Sequence, residues 1–166
     1  MKELISSGLE ALGLTGSVPP DAAEKLAEYG RLLLEKNQVM NLTAIRDEAG
    51  VARLHMLDCA ALLPCADLTG ARTLLDVGTG AGFPGLPLKI LLPQLDVTLL
   101  DSLNKRVDWL NEVSAQLGLT GVRAIQGRAE EKALEKSMRD SFDLVTARAV
   151  ADLRLLAELK SEAKRS

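Results

Sequence analysis

The run Asp76-Val77-Gly78-Thr79-Gly80-Ala81-Gly82-Phe83-Pro84-Gly85 sets four glycines between an apolar stretch and a helical one. Glycines at that density let a backbone turn tightly and pass close to a ligand where a β-carbon would collide. About 20 residues further on, Asp101 closes the apolar run Val97-Thr98-Leu99-Leu100, where a doubly wound fold places the carboxylate that accepts hydrogen bonds from a ribose. Together they predict a chain that holds an adenosyl cofactor by its nucleoside. Two details bear on which cofactor. Pro84 and Pro87 remove backbone donors from the helix start that would receive a dinucleotide's pyrophosphate. Asp76 would repel that pyrophosphate but could orient the ammonium group of a methionine moiety, directly or through water. S-adenosyl-L-methionine, with no phosphate and a positive sulfonium, suits this acidic strand end better than a nicotinamide cofactor does. The plainer alternatives are that Asp76 braces the loop and that Asp101, with Ser102, caps the next helix. A nicotinamide-dependent oxidoreductase is the competing functional reading.

The elements that must position these residues follow from periodicity. Leu4, Ile5, Leu9 and Leu12 suit a short amphipathic helix ended by Gly13 and Gly16. Pro19-Pro20-Asp21 starts a second helix, carrying Leu26, Tyr29 and Leu33 through about Lys36. Asp47-Glu48 opens a third, with Val51, Leu54, Asp58 and Leu62 on one face and Pro64 as its stop. From Thr73 the period changes. Strand 73–77, helix 84–92, strand 96–101, helix 104–117, strand 122–126, a charged irregular stretch, strand 142–147 and helix 151–164 follow as βαβ units, which predicts an α/β fold with a doubly wound parallel sheet. The expected division is an N-terminal helical segment, 1–70, and a Rossmann-like cofactor-binding domain, 71–166.

Composition narrows the function classes. Of the 166 residues, 47% are hydrophobic, enough for a packed core, while aromatics at 2% exclude base-stacking platforms as the way to hold single-stranded nucleic acid. A net charge of −3 argues against binding DNA or RNA by bulk charge and leaves room for a local basic patch. Cys59 and Cys65 lack metal spacing and a second pair, and His55 is the lone histidine, so no metal site is expected and both cysteines read as core filler. The opening residues lack an apolar leader and no run approaches membrane-spanning length, so the expectation is a soluble, cytoplasmic protein.

Several motifs then occur in order. They are Asn41-Leu42-Thr43; Arg53-Leu54-His55-Met56-Leu57-Asp58; Asp76 to Gly85 with Leu86-Pro87-Leu88; Leu99-Leu100-Asp101-Ser102 with Lys105-Arg106; Gly127-Arg128-Ala129-Glu130; and Ala147-Arg148-Ala149. This ordered set, from about Asn37 to about Val150, resembles the RsmG (GidB) family, the small-subunit ribosomal RNA guanine-N7 methyltransferases. The resemblance implies S-adenosyl-L-methionine as cofactor and 16S ribosomal RNA, free or in the small subunit, as partner, with no DNA or membrane partner and a monomeric state in the full-length form. It carries cofactor contacts onto Gly78, Phe83, Ala129, Glu130 and Arg148, with Asp101, Ser102 and Leu103 at the ribose end. Asp76 and Gly80 complete that set from the loop reading. Ala147 departs from the serine that usually precedes the family's arginine.

Guanine N7 carries no proton, so its methylation needs no general base and no catalytic side chain is expected. Alignment of N7, methyl and sulfur should suffice, with modest electrostatic help. Arg148 could meet guanine O6, a phosphate or the cofactor carboxylate, or pair with a loop acid. His55 and Asp58 either tie the helical segment to the domain or touch substrate. Asn41 either presents its amide to a base edge or caps a helix, and Lys105-Arg106 either meets phosphate or forms a solvated face. The family's fold continues past a fourth strand, so the resemblance implies a domain incomplete at its C-terminal end. The strand 142–147 would then be an open edge prone to association, cofactor affinity would be weak, and transfer would be slight or absent.

Overall fold

The computed structural model describes residues 1–65, 68, 70–128, 140–148 and 153–155; for Cys65, Arg148 and 153–155 the description is of the backbone. Helices α1 (Lys2–Ala11) and α2 (Ala22–Asn37) come first. The next helical stretch is α3 (Glu48–Gly50), a π-helical segment Val51–Leu57, α4 (Asp58–Ala60) and α5 (Leu62–Cys65). Then follow β1 (Thr73–Val77), α6 (Gly85–Leu91), β2 (Asp96–Asp101), α7 (Asn104–Gln116), β3 (Val122–Gln126), β4 (Leu144–Arg148) and β5 (Leu153–Leu155). The spatial order is β3-β2-β1-β4-β5, with the first four strands parallel. From β1 the chain builds outward to β2 and β3 on one side, and β4 lies on the other. The crevice beyond the carboxyl end of β1 is therefore the switch point where such sheets bind ligands. The doubly wound α/β architecture is as the sequence predicts.

Burial follows this layering. Strand β1 reads Thr-Leu-Leu-Asp-Val, buried from Leu74 onward, as a central parallel strand covered on both faces should be. One apolar cluster runs from Ile5, Leu26 and Leu33 through Val51 and Met56 to Leu86, Leu99 and Leu110, so the N-terminal helices and the sheet share a core. The Asn111 side chain ties α7 to β3, accepting from the Ala124 N–H at 2.9 Å and donating to its carbonyl at 3.1 Å.

The structure corrects three details. Leu153–Leu155, expected inside a helix over 151–164, instead pair antiparallel with β4, Leu155 opposite Thr146 and Leu153 opposite Arg148. That pairing covers β4 at Thr146, Ala147 and Arg148, so the edge expected along 142–147 is not open there. Long-range pairing has overridden local helical propensity. The face of the third helix is also displaced: Val51, Ala52, His55, Met56, Cys59 and Ala60 are buried, while Leu54 is 59% exposed and Asp58 faces solvent. The wider π-turn shifts the buried stripe away from a 3.6-residue period. Finally, Pro64 lies within α5 rather than stopping the helix, at an early position where no intrahelical N–H is needed.

Lys89 is a cation inside the fold. It is 3% exposed on α6, and its ammonium donates to the carbonyls of Pro93, at 2.7 Å, and Leu95. Burial lowers its pKa below the ordinary 10.5, with Asp96 pulling the other way. A base with a depressed folded pKa binds fewer protons folded than unfolded. Its charge therefore costs stability below the folded pKa, and the cost fades as pH rises toward 10.5. Urea unfolding of wild type and Lys89→Met from neutral to about pH 10 should show the difference moving in favour of wild type as pH rises. A pH-independent difference would contradict this account.

Candidate functional site

The loop after β1 is held from three sides. Asp76, fully buried, accepts from the Thr79 hydroxyl at 2.6 Å and the Gly85 N–H at 3.0 Å through Oδ2, and from the Thr146 hydroxyl at 3.0 Å through Oδ1. One carboxylate thus fixes both ends of the turn and joins it to β4. Across the sheet, Asp101 Oδ2 accepts from the Gly80 N–H at 2.8 Å and Oδ1 from the Leu103 N–H at 3.0 Å. Arg106 Nη1 stands 3.5 Å from Oδ1. The loop glycine and the β2 acid, read separately from the sequence, are directly bonded. A carboxylate offers about four acceptor sites, so Asp101 keeps capacity for a hydroxyl.

Gly78 and Gly80 take φ of +65° and +58°, and a β-carbon at either would meet no protein atom within 4 Å. Backbone conformation demands glycine there, and the space before both is open to a ligand. Gly82 differs: its β-carbon would lie 2.5 Å from the Tyr29 hydroxyl.

Tyr29 is the contributor that sequence reading passed over, taken only as one apolar position of α2. It is fully buried, and its hydroxyl donates to the Ala81 carbonyl. Its ring centroid is 5.6 Å from that of Phe83 and 6.3 Å from that of Trp109. The buried His55 ring also stacks on Phe83, at 4.3 Å and 11°. His55 Nε2 lies 2.7 Å from Thr43 Oγ1, and Asn37 Oδ1 accepts from the Leu42 and Thr43 N–H groups at 2.8 and 3.0 Å. The N-terminal helices therefore form the back wall of the glycine loop. A polar residue at a helical core position was the available signal, since a buried hydroxyl needs a partner. Tyr29→Phe should cost about 1 kcal/mol in thermal or urea unfolding, the scale of one hydrogen bond. An unchanged stability would contradict the bracing role.

The remaining expected residues fall as follows. Ser102 and Leu103 lie beside Asp101 on the exposed surface, Leu103 at 50%. Phe83 is buried, in ring contact with His55 and Tyr29. Arg148 ends β4, one residue past Ala147, which registers with Val77 just before Gly78. Ala129 and Glu130 lie outside the described residues. Asn41 is exposed and lines a separate pocket near the end of α2. Cys59 is buried in the core. Among the described residues no group of three or more His, Cys, Asp or Glu is arranged to hold a metal, and no helix is long and apolar enough to cross a membrane.

Residues 22–165 match the family described as rRNA small subunit methyltransferase G. Among curated relatives, the protein of that name from Alkaliphilus metalliredigens is 46% identical over 95% of this chain and 65% of its own length. That from Exiguobacterium sibiricum is 50% identical over 81% of this chain and 57% of its own length. The chain thus spans less than two thirds of these relatives. A solved precorrin-6y C5,15-methyltransferase from Geobacter metallireducens superposes with a TM-score of 0.45 at 13% identity, covering 76% of this chain and 71% of that one.

Proposed function

The chain belongs to the family of rRNA small subunit methyltransferase G, and from that premise we propose that it takes part in methylating guanine N7 in 16S ribosomal RNA with S-adenosyl-L-methionine as cofactor. The observation that carries this reading is the Gly80–Asp101 bond at 2.8 Å, beside two glycines whose missing β-carbons leave open space. A glycine cradle and a ribose acceptor at one point, with an acidic strand end behind them and proline-blocked helix donors, fit an adenosyl group without phosphates. Gly78 and Gly80 would pass along the cofactor, Asp101 would accept from its ribose, and Ser102 and Leu103 would flank the nucleoside. Asp76 would act from beneath, by fixing the loop. Phe83, Ala129, Glu130 and Arg148 complete the proposed cofactor set, with Asn41, His55 and Arg148 proposed toward the RNA. The bound cofactor supplies an electrophilic methyl group on a sulfonium. The protein's task is to hold guanine N7 in line with it and to exclude water. A cytoplasmic protein without DNA or membrane partners, monomeric in its full-length form, is part of the same proposal.

Because N7 carries no proton, no residue of the chain need act as a base. Single-turnover transfer should be nearly flat with pH across the neutral range, and a steep ionisation near pH 7 not traceable to folding or RNA binding would contradict this. The function itself is tested in cells. Deleting the gene should remove 7-methylguanosine from small-subunit rRNA, as read by nuclease digestion and mass spectrometry. Unchanged rRNA methylation would overturn the proposal.

A further inference from the structure

The pocket that Asn41 lines has no part in the cofactor site. It encloses about 380 Å³ and is bounded by Leu34, Glu35, Asn37, Gln38, Asn41 and Arg46. Its walls are mostly polar, with amides that can both donate and accept, and a guanidinium that makes no ion pair among the described residues. The rim is fixed, because Asn37 Oδ1 holds the Leu42 and Thr43 N–H groups. Thr43 continues to His55, and His55 to Phe83 of the glycine loop. Along α2 the pocket begins at Leu34, five residues past Tyr29, whose hydroxyl donates to the Ala81 carbonyl. At 1.5 Å per residue its α2 wall lies about 8 Å (Leu34) to 12 Å (Asn37) along the helix axis from Tyr29, one to a few nucleotides of single strand.

We propose that this pocket binds a nucleotide of the substrate RNA a few positions from the methylated guanine, Arg46 taking a phosphate and the Gln38 and Asn41 amides a base edge or ribose hydroxyl. The inference rests on the methyltransferase reading above. A net charge of −3 argues against attraction by bulk charge, so RNA contact falls to individual cations placed where the strand passes. Guanidinium and phosphate make charge-assisted, two-pronged hydrogen bonds, and sequence-selective RNA readers act on unstacked single-stranded nucleotides through such polar contacts. The chain has few aromatics on which to stack them. A preformed polar pocket rigidly tied to the cofactor loop would set the register of the strand, and therefore which base reaches the methyl group.

The test is solution NMR of the 166-residue protein, titrated with a short single-stranded RNA of mixed sequence and with its DNA counterpart. The side-chain amide signals of Gln38 and Asn41 and the Arg46 Nε–H should shift saturably with RNA and less with DNA. Arg46→Ala should weaken binding about tenfold and lower the slope of log affinity against log salt by about 0.7. Binding of S-adenosylhomocysteine should be unchanged. The proposal is overturned if these signals stay still with RNA, if DNA shifts them equally, or if Arg46→Ala binds RNA as wild type does. If S-adenosylhomocysteine still binds in those cases, the pocket assignment fails alone. If it does not bind even to wild type, the methyltransferase reading fails with it.

Discussion

Replacing Asp76 with alanine should lower the unfolding free energy by about 3–5 kcal/mol, the largest stability effect expected at the site. The change removes one acceptor and strands three donors, the hydroxyls of Thr79 and Thr146 and the Gly85 N–H, at a fully buried position. A buried donor without a partner costs its desolvation penalty, about 1–3 kcal/mol each, and the losses are not additive within one network. Asp76→Asn keeps the shape but turns an NH₂ group toward a donor, so about 1.5–3 kcal/mol is expected. Urea unfolding of both variants checks the order. If alanine proves no worse than asparagine, or both fall within 1 kcal/mol of wild type, Asp76 is not the brace described.

Asp101→Ala should weaken S-adenosylhomocysteine binding by about 1–3 kcal/mol in a protein that still folds. The side chain also holds the Gly80 and Leu103 N–H groups, so some of that loss would come from a looser loop rather than a lost ribose contact. The 2′-deoxy analogue separates the two. In wild type the analogue should bind several-fold more weakly than the parent ligand. In Asp101→Ala the two should bind alike, because the ligand hydroxyl and its acceptor form one interaction and their losses are not additive. A gap of the same size in both proteins would move the ribose contact elsewhere.

Local features of the site were legible in the sequence. The glycine loop and Asp101 lie at the ends of adjacent buried strands, and strand periodicity with glycine spacing reveals both. The parallel order follows from the alternation of strands and helices. What escaped depends on contacts between distant segments. The bond from Tyr29 to Ala81 spans 52 residues, and no pattern within α2 announces it. The π-turn at Val51–Leu57 buries His55 and exposes Leu54, against a regular helical period. Lys89 draws no reading from the sequence, and only the fold turns its ammonium onto the carbonyls of Pro93 and Leu95. Leu153–Leu155 form a strand because β4 offers a partner, not because of their own propensity. Asp76 shows the middle case. Its position was evident, while its bonds to Thr79, Gly85 and Thr146 required the structure.

The central claim is that the Gly78–Gly80 loop and Asp101 form an adenosyl site for a methyl donor. Calorimetric titration of the wild-type chain with S-adenosylhomocysteine, and separately with NADH, tests it most directly. One-to-one saturable binding of S-adenosylhomocysteine, abolished by Gly78→Ala in a folded protein and accompanied by no heat from NADH, is the predicted result. Binding of NADH in its place, or a folded wild-type chain that takes up neither ligand, would contradict it.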